Sequence, residues 1–345
     1  MRTLILGGTG NISTPLTHLL VEQSSDVTVL NRGLRSTRIP SSVKTITADR
    51  KDHETFRKLI LAAGHFDCVV DMIGFTPKEV ALSIELFRGR IKQYIFCSTV
   101  DVYTKPAPAF PIREDSPKVP SGEFQYAFDK ARCEEMLLLA HDQGDFAVTI
   151  LRPAQTYSEG GSPLVHAFRG GTYHLDRIQK GKPIIVHGDG SSLWVACHAI
   201  DVARAFFNAI GNAKAFGKSY NVTGEEWMTY NAYWSAVAEV MGVATPELVH
   251  IPTDLLVRTA PELASWCGYN FQYVTIFNND AARADLGFRY TIGWKEGVRR
   301  CLDWLAANGT IEDSSAYAFY DHIVESWKKH SSQMVAELAG KYGIH

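Results

Sequence analysis

The stretch Leu4-Ile5-Leu6-Gly7-Gly8-Thr9-Gly10-Asn11-Ile12 constrains this chain more than any other. An apolar run breaks at once into small residues and then into an amphipathic segment. A buried parallel strand that turns directly into a helix has this pattern. The first turn of such a helix offers free backbone N–H groups and the positive end of the helix dipole, and together they attract a pyrophosphate. Gly7, Thr9, Gly10, Asn11 and Ile12 are therefore candidate ligands of a dinucleotide. The third small position is Ser13, so the turn departs from the strict G-x-G-x-x-G pattern.

A second motif follows much later. Tyr126-Ala127-Phe128-Asp129-Lys130 lies in a helical pattern, and a spacing of four puts phenol and ammonium on one face. A nearby cation stabilises phenolate, so this pairing predicts a tyrosine that shuttles a proton at neutral pH. The order of the two motifs adds weight, because Tyr126 comes after five strand-like runs. These are Leu4–Leu6, Val27–Leu30, Lys44–Ile46, Cys68–Met72 and Gln93–Cys97, with a sixth at Ala147–Leu151. Their near-continuous apolar character predicts strands covered on both faces, in a doubly wound parallel α/β sheet.

The 345 residues, 46% of them hydrophobic, can bury one large core plus a smaller lobe. The expected division is a dinucleotide-binding domain over 1–155 and a mostly substrate-binding lobe over 156–310. That lobe would return strands and helices to the first sheet, and a helical extension would occupy 311–345. Helices are expected at Arg169–Lys180 and from Ser314 to Ala339. The net charge of −2, from 35 basic and 37 acidic residues, argues against nucleic acid as the main partner. The six cysteines are scattered without a C-x-x-C pair, which predicts buried thiols and no metal site. Met1 to Leu6 reads as a core strand rather than a leader, and no apolar run approaches the ~20 residues that span a bilayer. A cytoplasmic protein with no membrane partner is expected.

In these motifs the chain resembles the extended branch of the short-chain dehydrogenase/reductase superfamily, the NAD(P)-dependent nucleotide-sugar epimerases and dehydratases. The resemblance covers most of residues 1–308. Besides the two motifs above, it rests on Ser98-Thr99-Val100-Asp101-Val102-Tyr103, Leu151-Arg152-Pro153 and Gly188-Asp189-Gly190. Asp201-Val202-Ala203, Tyr220-Asn221-Val222 and Asp285-Leu286-Gly287-Phe288 continue it. It implies a Rossmann fold with a smaller, interleaved C-terminal substrate lobe, a nicotinamide cofactor, and a catalytic set of Thr99, Tyr126 and Lys130 with Ser98 beside them. Lys130 would also hold the cofactor's ribose. Asn31 and Arg32, at the end of the second strand, lack the carboxylate that favours NAD; this favours NADP, with NAD the alternative. Asp49 resembles the residue that bonds the adenine amine, Arg50 one that covers the ring, and Pro153 part of the nicotinamide wall. A homodimer through two helices is common in this family.

Departures from the family pattern bear on the substrate. Dehydratases carry an Asp-Glu pair after the threonine; here Val100-Asp101 keeps only the second carboxylate. Trp194 stands where an Arg after Gly-Asp-Gly would clamp a diphosphate, and Phe277-Asn278-Asn279-Asp280 lacks a second such Arg. Asp101, Tyr103, Trp194 and His198 are the candidate substrate contacts, with Trp194 able to stack on a sugar or base. The expected activity is hydride transfer at a sugar-like hydroxyl or ketone, as oxidoreductase or epimerase, with Tyr126 as acid/base. A second class is a non-catalytic or RNA-binding protein, because the chain also resembles in part the chloroplast stem-loop RNA-binding relatives of this family. Many of those lack the Tyr–x–x–x–Lys pair that this chain keeps.

Overall fold

The computed structural model describes residues 1–168 and 170–343. The chain divides into two compact units. The first comprises Met1–Ser158, Val195–Trp227 and Tyr273–Trp294; the second comprises Glu159–Trp194, Met228–Gln272 and the chain from Lys295 on.

The first unit is built on six strands read in chain order, β1 (Arg2–Leu6), β2 (Asp26–Asn31), β3 (Lys44–Thr47), β4 (Cys68–Asp71), β5 (Gln93–Cys97) and β6 (Ala147–Pro153). A seventh, Lys218–Val222, pairs with β6 at one edge. The order across the sheet is Lys218–Val222, β6, β5, β4, β1, β2, β3, and every pairing is parallel. Each expected strand lies within two residues of its observed bounds. Leu4 and Leu6 point to one face, packed with Phe56, Ile60, Val80 and Leu137, while Ile5 points to the other, packed with Leu16, Leu20 and Phe206. Burial of both faces is what makes β1, β2, β4, β5 and β6 largely apolar, whereas β3, at the sheet edge, is mostly exposed and does not meet the expectation of a strand covered on both faces.

The chain reverses its direction of winding between β1 and β4, which flank each other in the sheet. Leu6 pairs with Leu30 on one side and Asp71 on the other, so the segments after β1, β2 and β4 emerge together. In doubly wound sheets a crevice opens at this point. Helix α1 (Ser13–Glu22) starts immediately after the glycine turn. Gly8 has φ +76°, and a Cβ there would lie 2.6 Å from Cβ of Val29, so only glycine lets the turn sit this close to β2. Helix α2 (His53–Ala62) is capped by Asp52. Helix α3 (Pro77–Phe87) carries a reciprocal Thr76–Glu79 capping box and Pro77 in its first turn.

Helix α4 (Gln125–Asp142) carries Tyr126 and Lys130. It is tied to the sheet one turn past Lys130, where Arg152 of β6 grips Glu134 through two hydrogen bonds of 2.8 and 2.7 Å. Arg152 also donates to the Tyr103 hydroxyl at 2.8 Å and to the Glu114 carbonyl at 3.2 Å. Arg152 and Glu134 are both buried, so each charge depends on the other for solvation.

The second unit holds a parallel pair of strands, Ile184–His187 and Leu248–Ile251. The helix expected over Arg169–Lys180 forms at Tyr173–Gln179; Arg169 lies outside the described residues. The last segment makes a 3-10 turn at Ser314–Ala316 and then a helix over Ala318–Tyr342. Its start is pinned where Arg177 meets Asp321 at 2.7 Å and lies over the Tyr320 ring. Among the described residues no helix is long and apolar enough to cross a membrane, and no cluster of His, Cys, Asp and Glu is placed to hold a metal.

The Arg152–Glu134 pair generates a stability prediction. Glu134→Ala strands a buried guanidinium and is expected to cost about 3–5 kcal/mol, read as a lowered midpoint in urea denaturation. Loss of less than about 1 kcal/mol would mean that α4 is held mainly by its apolar face.

Candidate active site

The segments that leave the sheet at the switch point line a cavity of about 740 Å³ within the first unit. Gly7, Thr9, Gly10, Asn11 and Ile12 form its floor, and Asn31, Arg32 and Asp49 one end. Ser98, Thr99, Tyr126 and Pro153 line it as well. At the glycine turn, Gly10 N–H donates to Ser13 Oγ at 2.8 Å. The hydroxyl at the third small position therefore organises the turn from inside, where the strict pattern has a glycine. Asn11 reaches to Thr156, donating to its carbonyl at 2.6 Å, and accepts a hydrogen bond from Ser158.

At one end, Asn31 Oδ1 accepts from Gly33 N–H at 2.7 Å, which shapes the turn that presents Arg32. Arg32, Arg35 and Lys51 are exposed on this part of the wall. Arg35 and Lys51 escaped the sequence reading, which stopped at Arg32 after the second strand and at Arg50 after the third. Asp49 is exposed and accepts from Lys51 N–H at 2.9 Å.

Arg50 departs from expectation. Its guanidinium meets Asp71 at 2.5 Å and donates to the Glu79 carbonyl at 3.1 Å and to Ser83 Oγ at 2.8 Å. Tyr94 also donates to Asp71. A charge locked in this buried network is not available to cover an adenine face, and its role is to hold β4 to α3.

The Thr99 hydroxyl lies at the start of a short 3-10 turn, Val100–Val102, accepting from Asp101 N–H at 3.2 Å and donating to Asp101 Oδ2 at 3.1 Å. Tyr126 is hydrogen-bonded to Thr99. Burial pushes the Tyr126 phenol well above its ordinary range, with Asp101 and Cys97 adding to the rise and the Thr99 bond opposing it. Lys130 does not supply the expected opposing charge. Its ammonium donates to the carbonyls of Gly74 (2.8 Å) and Cys97 (2.6 Å), lies over the rings of Phe75 and Phe96, and is absent from the cavity wall. Two carbonyl acceptors in a buried setting hold an ammonium more firmly than a phenol one turn away does.

Three of the four expected substrate contacts are committed elsewhere. Tyr103 is buried, with its hydroxyl donating to Asn221 Oδ1 at 2.7 Å and accepting from Arg152. His198 is fully buried; its Nδ1 accepts from Ile200 N–H and caps the helix Ala199–Ala209, and its ring meets the edge of Tyr157. Trp194 belongs to the second unit and packs against Tyr230 and Phe271, with ring centroids 5.6 and 5.1 Å apart. Only 6% of it is exposed, which leaves no open face for stacking. The fourth, Asp101, sits behind Thr99 and is paired with Lys105 at 2.7 Å.

Residues 3–223 match the model of the NAD dependent epimerase/dehydratase family, and the chain belongs to that family. Among its relatives is the chloroplast stem-loop binding protein of 41 kDa b of Arabidopsis thaliana, 30% identical over 72% of this chain and 65% of the relative. Another is a 2'-dehydrokanamycin reductase of Streptomyces kanamyceticus, 23% identical over 70% of this chain and 67% of the relative. The chain thus spans about two thirds of the length of these two relatives. A UDP-glucose 4-epimerase from Thermotoga maritima, solved with UDP-glucose, shares the Rossmann-type fold with a TM-score of 0.73 and 18% identity. That match covers 89% of this chain and 99% of the other. The cavity fits the dinucleotide that the family name implies. Its glycine turn excludes side chains, and two buried polar atoms on the wall, Asn31 Nδ2 and Ser98 Oγ, have no partner among the described residues.

Proposed function

We propose that the protein is an NADP(H)-dependent oxidoreductase of the epimerase/dehydratase type, acting on a sugar-like hydroxyl or ketone. The observation that carries this reading is the Tyr126–Thr99 pair on the wall of the same cavity as the glycine turn. The bound nicotinamide would supply or accept the hydride. Tyr126 would hold the proton at its phenolic oxygen and give it to a developing alkoxide, and its raised pKa keeps it protonated until that step. Thr99 would orient the reacting oxygen, with Ser98 Oγ a further donor at the same strand end. Lys130 would act through position, by fixing the Gly74 and Cys97 carbonyls beside the tyrosine.

Three cations support NADP over NAD, because Arg32, Arg35 and Lys51 can meet a 2′-phosphate while Asn31 offers no carboxylate to repel it. The substrate is read as neutral or weakly anionic. Trp194 stands where a diphosphate-clamping Arg is expected, and Arg283, near the other such position, is paired with Glu225 and Asp280. The relative named for 2'-dehydrokanamycin supports a glycosylated ketone, whereas the epimerase neighbour was solved with UDP-glucose. The plant relative's name raises stem-loop binding for this chain too. Its net charge of −2 gives little attraction to a phosphate backbone, so that reading ranks second.

Two variants test the reading. Tyr126→Phe is expected to lower turnover of sugar ketones by ~10²–10⁴-fold while dinucleotide affinity, read by calorimetry, stays within a few-fold. Turnover kept within a few-fold would remove the phenol from the chemistry. Arg32→Ala combined with Arg35→Ala should weaken NADPH about tenfold, each charge-assisted contact being worth roughly 1.5–3 kcal/mol when well formed and less when exposed, and leave NADH unchanged. Equal losses for both cofactors would contradict the placement of the 2′-phosphate.

A further inference from the structure

The buried pair Asp101–Lys105 lies directly behind Thr99, and no part of the reading above uses Lys105. The Lys105 ammonium donates to Asp101 Oδ1 at 2.7 Å, and both side chains are less than a tenth exposed. The other carboxylate oxygen, Oδ2, accepts the Thr99 hydroxyl proton at 3.1 Å. Thr99 has a single proton, for which Asp101 Oδ2 and the Tyr126 oxygen compete; its bond to Tyr126 favours phenolate, and Asp101 draws the proton away from that bond. The carboxylate and the ammonium therefore act on the tyrosine in opposite senses. Asp101 disfavours phenolate by charge and by holding the Thr99 proton. Lys105 offsets that charge and competes for the same carboxylate.

We propose that Asp101 and Lys105 form a charge pair that sets the acidity of Tyr126 through the Thr99 hydroxyl, with Lys105 a positioning residue that never touches substrate. The proposal rests on the reading of Tyr126 as acid/base. Other groups among the described residues also face this cluster. From β5, the Cys97 thiol lies near the phenol, its own pKa pushed up by burial to about 11, so it is neutral at physiological pH. From the start of α4, the Phe124 ring lies 6.1 Å from that of Tyr126 and carries no charge. The Lys130 ammonium is turned to the Gly74 and Cys97 carbonyls. Asp101 touches Thr99 directly, and Lys105 reaches it through Asp101. A spacing of four residues was the sequence signal for the pair, visible only once Asp101 is known to be buried.

The test follows the Tyr126 phenol itself, in protein labelled with ¹³Cζ-tyrosine and assigned by the loss of one resonance in Tyr126→Phe. The titration runs upward from neutral pH in the presence and absence of NADP⁺. Asp101→Asn should lower the titration midpoint by about one unit or more, bringing phenolate into view where the parent is still protonated. Lys105→Met should raise it, Lys105→Arg should restore the parent value, and the double variant Asp101→Asn/Lys105→Met should return towards the parent. A midpoint in Asp101→Asn that equals the parent, or a shift of the same sign in Asp101→Asn and Lys105→Met, overturns the proposal. Should Lys105→Met not fold, Asp101→Asn with Lys105→Arg still decides it. This readout stands apart from turnover. Activity surviving in Tyr126→Phe would sink the acid/base reading, while the titration would still report whether the pair tunes the phenol.

Discussion

Parallel pairing of seven strands makes every strand end at the same edge of the sheet, and the candidate site is a consequence of that constraint. Because β1 is flanked by β2 and β4, the glycine turn, Asn31-Arg32 and Met72-Ile73 leave the sheet side by side. Because β5 and β6 follow in register, Ser98-Thr99 and Pro153 join them. Each segment ends a strand whose interior is mostly apolar, so most of the polar groups concentrate where the ladder stops. The close approach of Gly8 to Val29 fixes the turn against β2 and keeps side chains out of the floor.

A parallel sheet alone does not bring a tyrosine to that edge. Tyr126 lies on α4, and the helix is oriented by a charge placed on the sheet, Arg152, gripping Glu134 two turns past Tyr126. Buried ion pairs contribute little net stability but penalise every arrangement that separates them. Here that penalty keeps one face of α4 towards Thr99. Asp71 does similar work on the far side, holding Arg50 and Tyr94 and so joining β4, β5 and α3 beside the Gly74 carbonyl that receives Lys130.

Much of this was legible in the sequence, and the exceptions have physical causes. Five strands were legible because burial on both faces leaves a largely apolar run, and β3, an exposed edge strand, through its β-branched residues Thr45, Ile46 and Thr47. The seventh, Lys218-Ser219-Tyr220-Asn221-Val222, is the opposite edge strand, and its polar residues leave no such run. The glycine turn and the end of β2 were legible as a cavity because their chemistry resides in the backbone and its immediate neighbours. Lys130 and Arg50 were misjudged because their partners lie far off in the chain; the Gly74 carbonyl is 56 residues from Lys130, and Ser83 is 33 from Arg50. Tyr103, His198 and Trp194 were read as open to substrate because sequence does not show which aromatic faces other rings cover. Lys105 was overlooked because a lysine four residues from an aspartate is ordinarily a solvated pair.

The central claim is that one cavity holds a dinucleotide with its reactive end at the Thr99–Tyr126 pair and its adenosine end at Arg32. A crystal structure of the protein grown with NADP⁺ tests it most directly. The account predicts the pyrophosphate on the N–H groups that follow Gly10, the 2′-phosphate among Arg32, Arg35 and Lys51, and the nicotinamide ring beside Tyr126. A cavity left empty at saturating NADP⁺, or a dinucleotide bound with its nicotinamide at the Arg32 end, would contradict it.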